Sequence, residues 1–272
     1  RPADSGWTRS SSDSGSVTPN FDGLAAAGVL FRNAYSTGPV TRGGQEALWC
    51  GVPSATDSSI MRSFPQFSIS CIPDLGKSSD DKSIWIHGGD PRFDSQESFW
   101  RRHGVDTLVL SSDFQLNAPS TGWGIGDLSL FSKAAENLKN LQKFESAPTI
   151  QAFILSVSNH IPWTLPSDSP KTIQEMLVEH PSVKTTAYFD YALGEFITLL
   201  KSSEVWKDSI VIISSDHGNQ EQPRNISYFK DDPTKYERLT SHINLVISGG
   251  LTEELIKQKE IPSEMSEYVS QA

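Results

Sequence analysis

Apolar residues fall into short continuous runs separated by stretches with helical spacing. Residues 29–35, 83–86, 150–157, 209–214 and 243–247 are rich in Val, Ile, Leu and Phe and predict buried strands. Residues 107–110 are a shorter run of the same kind. Phe21, Leu24, Ala25 and Gly28 predict a short helix that ends at the glycine. Helical patterns also cover 45–49, 96–103, 127–144 and 184–201, the last with Phe189, Leu193, Ile197 and Leu200 on one stripe. Strands apolar on both faces, alternating with helices, predict an α/β fold: three layers, with helices on each side of a mostly parallel central sheet. Residues 1–17 and 220–240 are polar and read as loops.

Composition narrows the classes. A chain of 272 residues fits one large domain. Lys plus Arg is 23 against 33 Asp plus Glu, a net charge of −10, which excludes general nucleic-acid binding through phosphate neutralisation. Hydrophobic residues make up 36%, enough for a core, so global disorder is excluded. No apolar run approaches the roughly 18 residues of a membrane-spanning helix. Cys50 and Cys71 have no zinc-site spacing; a disulfide and two free buried thiols both remain open.

Ligands in such folds bind beyond the carboxyl ends of the strands. Three runs end in His87-Gly88-Gly89, in Ser158-Asn159-His160 and in Ser215-Asp216-His217-Gly218. A carboxylate and an imidazole side by side, as in Asp216-His217, can reach one divalent cation, although a polar turn has the same composition. His160 can hold an anionic oxygen, act as a general acid or be structural. His87, His103, His180 and His242 are not singled out by spacing. Thr41-Arg42-Gly43-Gly44 opens a helix, where backbone amides favour an anion and the glycines let a substrate approach. Thr41 is either an ordinary N-cap or a nucleophile, and Arg42 can steady a phosphoryl or sulfuryl oxygen.

An ordered set of segments resembles the alkaline-phosphatase superfamily. The segments are TPNFDGLAAAGVLFRNAYSTGPVTRGGQEAL, IHGGDPRFDSQESFWRRHGVD, GWGIGD, LSVSNHIPW, YFDYALGEFITLLK, IVIISSDHG and HINLVISGG. Within the superfamily they are similar to the sulfatase family, and in particular to its lipoteichoic acid synthase and phosphoglycerol transferase branch. The sulfatase Cys/Ser-x-Pro-x-Arg signature is absent, and Thr41 stands in the nucleophile place. The resemblance implies an alkaline-phosphatase-like fold with Thr41 as metal-bound nucleophile. Asp216 and His217 become metal ligands, and His160 the residue that holds the substrate's phosphate. Arg42 and Arg92 become anion-binding candidates.

The implied cofactor is a divalent metal, Mn²⁺ or Mg²⁺ ahead of Zn²⁺. The implied substrate is a lipid-linked or glycan-linked glycerol phosphate, with no nucleic acid partner. The implied place is extracytoplasmic, on a parent chain with N-terminal transmembrane helices. Cys50 and Cys71 resemble a cysteine pair of some relatives, which favours the disulfide in that compartment. The family opens with a strand ending in an acidic metal ligand. Here Asp4 and Asp13 lie in a polar stretch, so the chain reads as one catalytic domain, 1–272, incomplete at both ends. Two other readings follow: a sulfatase or phosphodiesterase on the same scaffold, and an inactive binding domain.

Overall fold

The apolar runs become strands in two separate sheets of the computed structural model. The structure describes residues 16–53, 58–64, 66–75, 78, 80–145, 149–178, 180–218, 241–258, 261, 262 and 264–270. Residues 1–15, with Asp4 and Asp13, and all of 220–240 lie outside the described residues. The elements follow the chain: α1 (Pro19–Ala27), β1 (Val29–Tyr35), α2 (Thr41–Cys50), α3 (Ile60–Ser63), β2 (Lys82–His87) and α4 (Gln96–Arg102). Next come β3 (Thr107–Val109), β4 (Ser120–Thr121), β5 (Gly124–Ile125), α5 (Asp127–Asn140), β6 (Ile150–Leu155) and α6 (Lys171–Gln174). The last are α7 (Pro181–Lys201), β7 (Val211–Ser214), β8 (His242–Ser248), α8 (Gly250–Lys257) and β9 (Glu264–Ser270). The chain packs as two compact units.

The first unit comprises Arg1–Leu24, Gly76–Phe93 and Gly104–Ser209. Its sheet has the order β3-β2-β6, all parallel. The central strand β2 buries Ile84, Trp85 and Ile86 completely, which is why the run has no polar alternation. Helices α5 and α7 pack together, with the Phe131 ring 5.3 Å from that of Phe196. Leu130, Ala134, Leu138, Leu193, Ile197 and Leu200 are buried. Full burial of a Leu or Ile side chain contributes about 2 kcal/mol. Phe189, expected on the buried stripe, is only half-buried; Tyr188, Ala192 and Phe196 take the inward face. Buried Asp190 reaches from α7 to the start of α1 and accepts from the Asn20 and Phe21 amides at 3.0 and 2.8 Å. That satisfies two orphan donors of the helix terminus.

The second unit comprises Ala25–Leu75, Asp94–His103 and Ile210–Ala272, with sheet order β7-β8-β1-β9. Strand β1 pairs in parallel with β9, but β8 runs antiparallel to both β7 and β1. The expected parallel order thus holds for the first sheet and for one pair of the second. Continuous apolar runs report burial on both faces; they do not report strand direction. Cys50 at the end of α2 is bonded to Cys71, closing a separation of 21 residues. Closing a loop of that length contributes about 3 kcal/mol by restricting the unfolded chain. Trp49 packs its ring 4.5 Å from buried Trp100 of α4.

Candidate functional site

In the second unit, chemistry gathers where the start of α2 meets the end of β7. Thr41 is the first helical residue and Val40 is the N-cap, which makes no side-chain capping bond. The expected Thr N-cap is therefore displaced by one position. Gly44 lies in the same first turn, and a Cβ there would stand 2.1 Å from the backbone oxygen of Asp216. The expectation that Gly44 makes room for a substrate is corrected: the chain after β7 fills that room. The missing Cβ lets the helix start and the strand end touch, which brings the turn carrying Thr41 and Arg42 to Asp216.

His217 donates its Nδ1–H to the Gly218 carbonyl at 2.8 Å, which leaves Nε2 without a proton in the neutral ring. That nitrogen lies 3.8 Å from Asp216 Oδ2. A bare imidazole nitrogen beside a carboxylate oxygen fits the donor chemistry of a divalent cation. Among the described residues no group of three His, Cys, Asp or Glu completes a metal cluster. Buried Glu46, also on α2, accepts from Ser59 Oγ at 2.6 Å and from the Met61 amide at 2.7 Å, anchoring α3 to the helix that starts at Thr41.

In the first unit, the loop after β6 carries His160. Asp127 Oδ1 accepts from the amides of Val157 and Ser158 at 3.0 and 3.3 Å, and Thr185 Oγ1 donates to Asn159 Oδ1 at 2.9 Å. His160 donates Nδ1–H to the Ile161 carbonyl at 2.8 Å, and Trp123 Nε1–H donates to the same oxygen. The Trp123 ring stands 4.3 Å from the imidazole. The loop is thus fixed before any ligand arrives, with His160 Nε2 left for it. Trp123 sits on the β4–β5 turn, pinned because Gly124, at φ 146°, lies against the Gly88 carbonyl, where a Cβ would come within 2.3 Å. Arg92 is exposed and forms a fork with Asp90 at 3.0 and 2.8 Å, which holds the Asp90 carboxyl down to about 2.

Three other histidines have structural partners. His87 is buried, which holds its pKa below the usual value, and it bonds to the Leu155 carbonyl. His103 bridges the Phe99 carbonyl and the Ile69 amide, and His180 accepts from the Ser182 amide at the start of α7. His242 enters β8 opposite Tyr35. Trp123 and Asp94 lie in segments that carry the resemblance, GWGIGD and IHGGDPRFD, but sequence reasoning gave neither a role of its own.

Asp127 is fully buried, and Oδ2 has no hydrogen-bond partner among the described residues. Desolvation pushes its carboxyl up to about 6 from 3.8. A raised folded-state value favours the protonated native form, so the contribution of this group to stability is greatest below about pH 4 and falls until about pH 6. The loss is on the order of 3 kcal/mol. Asp127→Asn keeps the Oδ1 acceptor and removes the charge. We expect urea unfolding between pH 4 and 7 to show a shallower decline in the variant; equal slopes would refute the assignment.

Residues 4–261 match the Sulfatase family model. Phosphoglycerol transferase I of Salmonella typhi is 25% identical over 215 residues, 74% of this chain and 28% of the relative. The chain thus spans little more than a quarter of the curated relatives it matches. A protein of the alkaline phosphatase superfamily from Vibrio parahaemolyticus superposes with a TM-score of 0.76 at 26% identity, covering 94% of this chain and 58% of that one. The lipoteichoic acid synthase LtaP of Listeria monocytogenes gives 0.77 at 22% identity, covering 94% and 63%. The fold is therefore alkaline-phosphatase-like α/β. With the family model spanning nearly all of the chain, from before α1 to beyond α8, the chain belongs to the Sulfatase family.

Proposed function

We propose that this chain is catalytic and transfers or hydrolyses a phosphoglycerol-type phosphodiester through Thr41. The observation that carries this reading is the contact of Gly44 with Asp216, which sets the turn of Thr41 against a carboxylate–imidazole pair. The similarity to a phosphoglycerol transferase and to a lipoteichoic acid synthase supports the substrate class. Asp216 and His217 would hold the divalent cation, Mn²⁺ or Mg²⁺ ahead of Zn²⁺. Such a cation lowers the proton affinity of a hydroxyl and offsets phosphoryl charge. Thr41 Oγ1 forms a bond to phosphorus while the ester bond to the donor alcohol breaks, and that alcohol leaves with a proton. An acceptor hydroxyl or water then takes the phosphoryl group and restores Thr41. The amides at the start of α2 and the Arg42 guanidinium stabilise the oxyanions.

His160 and Arg92, in the other unit, are proposed as substrate-binding residues. Their support is the sequence resemblance and, for His160, the prearranged loop. The donor is read as a lipid-linked or glycan-linked glycerol phosphate on the outer side of the cytoplasmic membrane. The Cys50–Cys71 bond suits that oxidising compartment. No described helix is long and apolar enough to cross a membrane; an anchor on the parent chain is proposed from the sequence resemblance alone. The family match keeps sulfate ester hydrolysis as the second reading. Glycerophospholipid, bis-p-nitrophenyl phosphate, p-nitrophenyl phosphate and p-nitrophenyl sulfate, each with Mn²⁺, separate the readings. We expect turnover of the two diesters. Turnover of the sulfate alone would move the assignment to a sulfatase, and turnover of none would favour a binding domain.

A further inference from the structure

Asp94 stands in the left-handed region at φ 51°, and Ser95 follows at φ 61°. Two consecutive non-glycine residues rarely adopt this conformation, and it persists only where the surroundings enforce it. Here it turns the Asp94 carboxylate inward, to 7% side-chain exposure, between two guanidiniums of the same unit. Oδ2 is 3.4 Å from Arg42 Nη1 and Oδ1 is 3.5 Å from Arg62 Nε. Both contacts are longer than the roughly 2.7–2.9 Å of a charge-assisted fork. Asp94 therefore engages Arg42 at one edge, and among the described residues no other partner takes the remaining N–H groups. Arg42 is the residue after Thr41, in a helix turn whose amides already favour an anion.

We propose that Asp94 is a positioning residue for Arg42, holding its guanidinium so that the open donors meet anionic oxygens arriving at Thr41. The proposal rests on the reading of Thr41 as the reacting group, and it gives a role to Asp94, which the sequence resemblance left without one. Arg62 is 62% exposed and gives Asp94 a second cationic neighbour on its other oxygen. An Asp94 that acted only on stability would affect ligand binding equally whether or not Arg42 were present.

Titration calorimetry of the whole chain with inorganic phosphate, in buffer containing Mg²⁺, tests this without turnover. Asp94→Ala is expected to weaken phosphate binding roughly tenfold, and in an Arg42→Ala background by no more than about twofold, because the two residues act as one. Asp94→Asn is the variant that keeps the fold, since Asn tolerates the left-handed backbone, and it is expected to lose about threefold. Unchanged or tighter binding in Asp94→Ala, an equal loss in both backgrounds, or no phosphate binding by the wild type would each overturn the proposal. A wild type that shows this coupling yet turns over none of the esters upholds it and sinks the transferase reading instead.

Discussion

Thr41→Ala is expected to lower turnover of bis-p-nitrophenyl phosphate by about 10⁴-fold or more while leaving the fold intact. The expectation of an intact fold comes from the helix itself. Thr41 opens α2 without being its cap, since that place belongs to Val40. Ala is the best helix former, so the substitution costs little helix stability. The glutamate that ties α2 to α3 is five residues further on and is untouched. Loss of activity with an unchanged thermal melt would therefore report on the hydroxyl alone. Thr41→Ser restores a hydroxyl and is expected to recover part of the rate. An active Thr41→Ala protein would remove the nucleophile assignment.

Gly44→Ala is expected to be the most damaging single-methyl change in the second unit. The added carbon would lie 2.1 Å from Asp216 O, 2.7 Å from its carbonyl carbon and 2.9 Å from its Cα. All three are backbone atoms, so no side chain can swing aside. Either the start of α2 or the chain after β7 must move. Overpacking of this kind costs on the order of 3 kcal/mol, more than the roughly 1 kcal/mol that Ala gains over Gly within a helix. A displacement of about 1 Å between reacting groups costs about 10²-fold in rate. Gly23→Ala is the control, because a Cβ there meets nothing within 4 Å. Urea unfolding and diester turnover on both variants check the contrast. A Gly44→Ala protein with wild-type stability and rate would show that the α2–β7 contact does not set the site.

Much of this was legible from the chain alone, for a physical reason. Buried strands must be apolar on both faces, so 29–35, 83–86, 150–157, 209–214 and 243–247 announce themselves. Residues at strand ends are then marked as candidates by position, which is how Asp216, His217 and His160 come forward. Direction was not legible: β8 carries the same signature whether it runs with or against β1. Strand β9 was not legible either, because Glu264–Ser270 mixes Glu, Ser, Tyr and Val without an apolar run. The role of Gly44 was misread because a glycine shows only that something comes close. Asp94 stood in a quoted segment, but its contacts were not legible, because they depend on a backbone angle and on two arginines remote in sequence.

The order of the second sheet also has a consequence in time. Among the described residues, strand β1 pairs with β8 and β9, both about 200 residues later in the chain. As the ribosome delivers the polypeptide, β1 emerges well before the two strands described beside it. Until β8 and β9 are made, VLFRNAY lacks both of these neighbours, and an unpaired strand edge is where nascent chains associate wrongly. The arginine and asparagine in its middle are polar interruptions of the kind that restrain such association. Yield of this protein in a foreign host should therefore depend on how long that strand is shielded after it leaves the ribosome, more than on the stability of the finished fold.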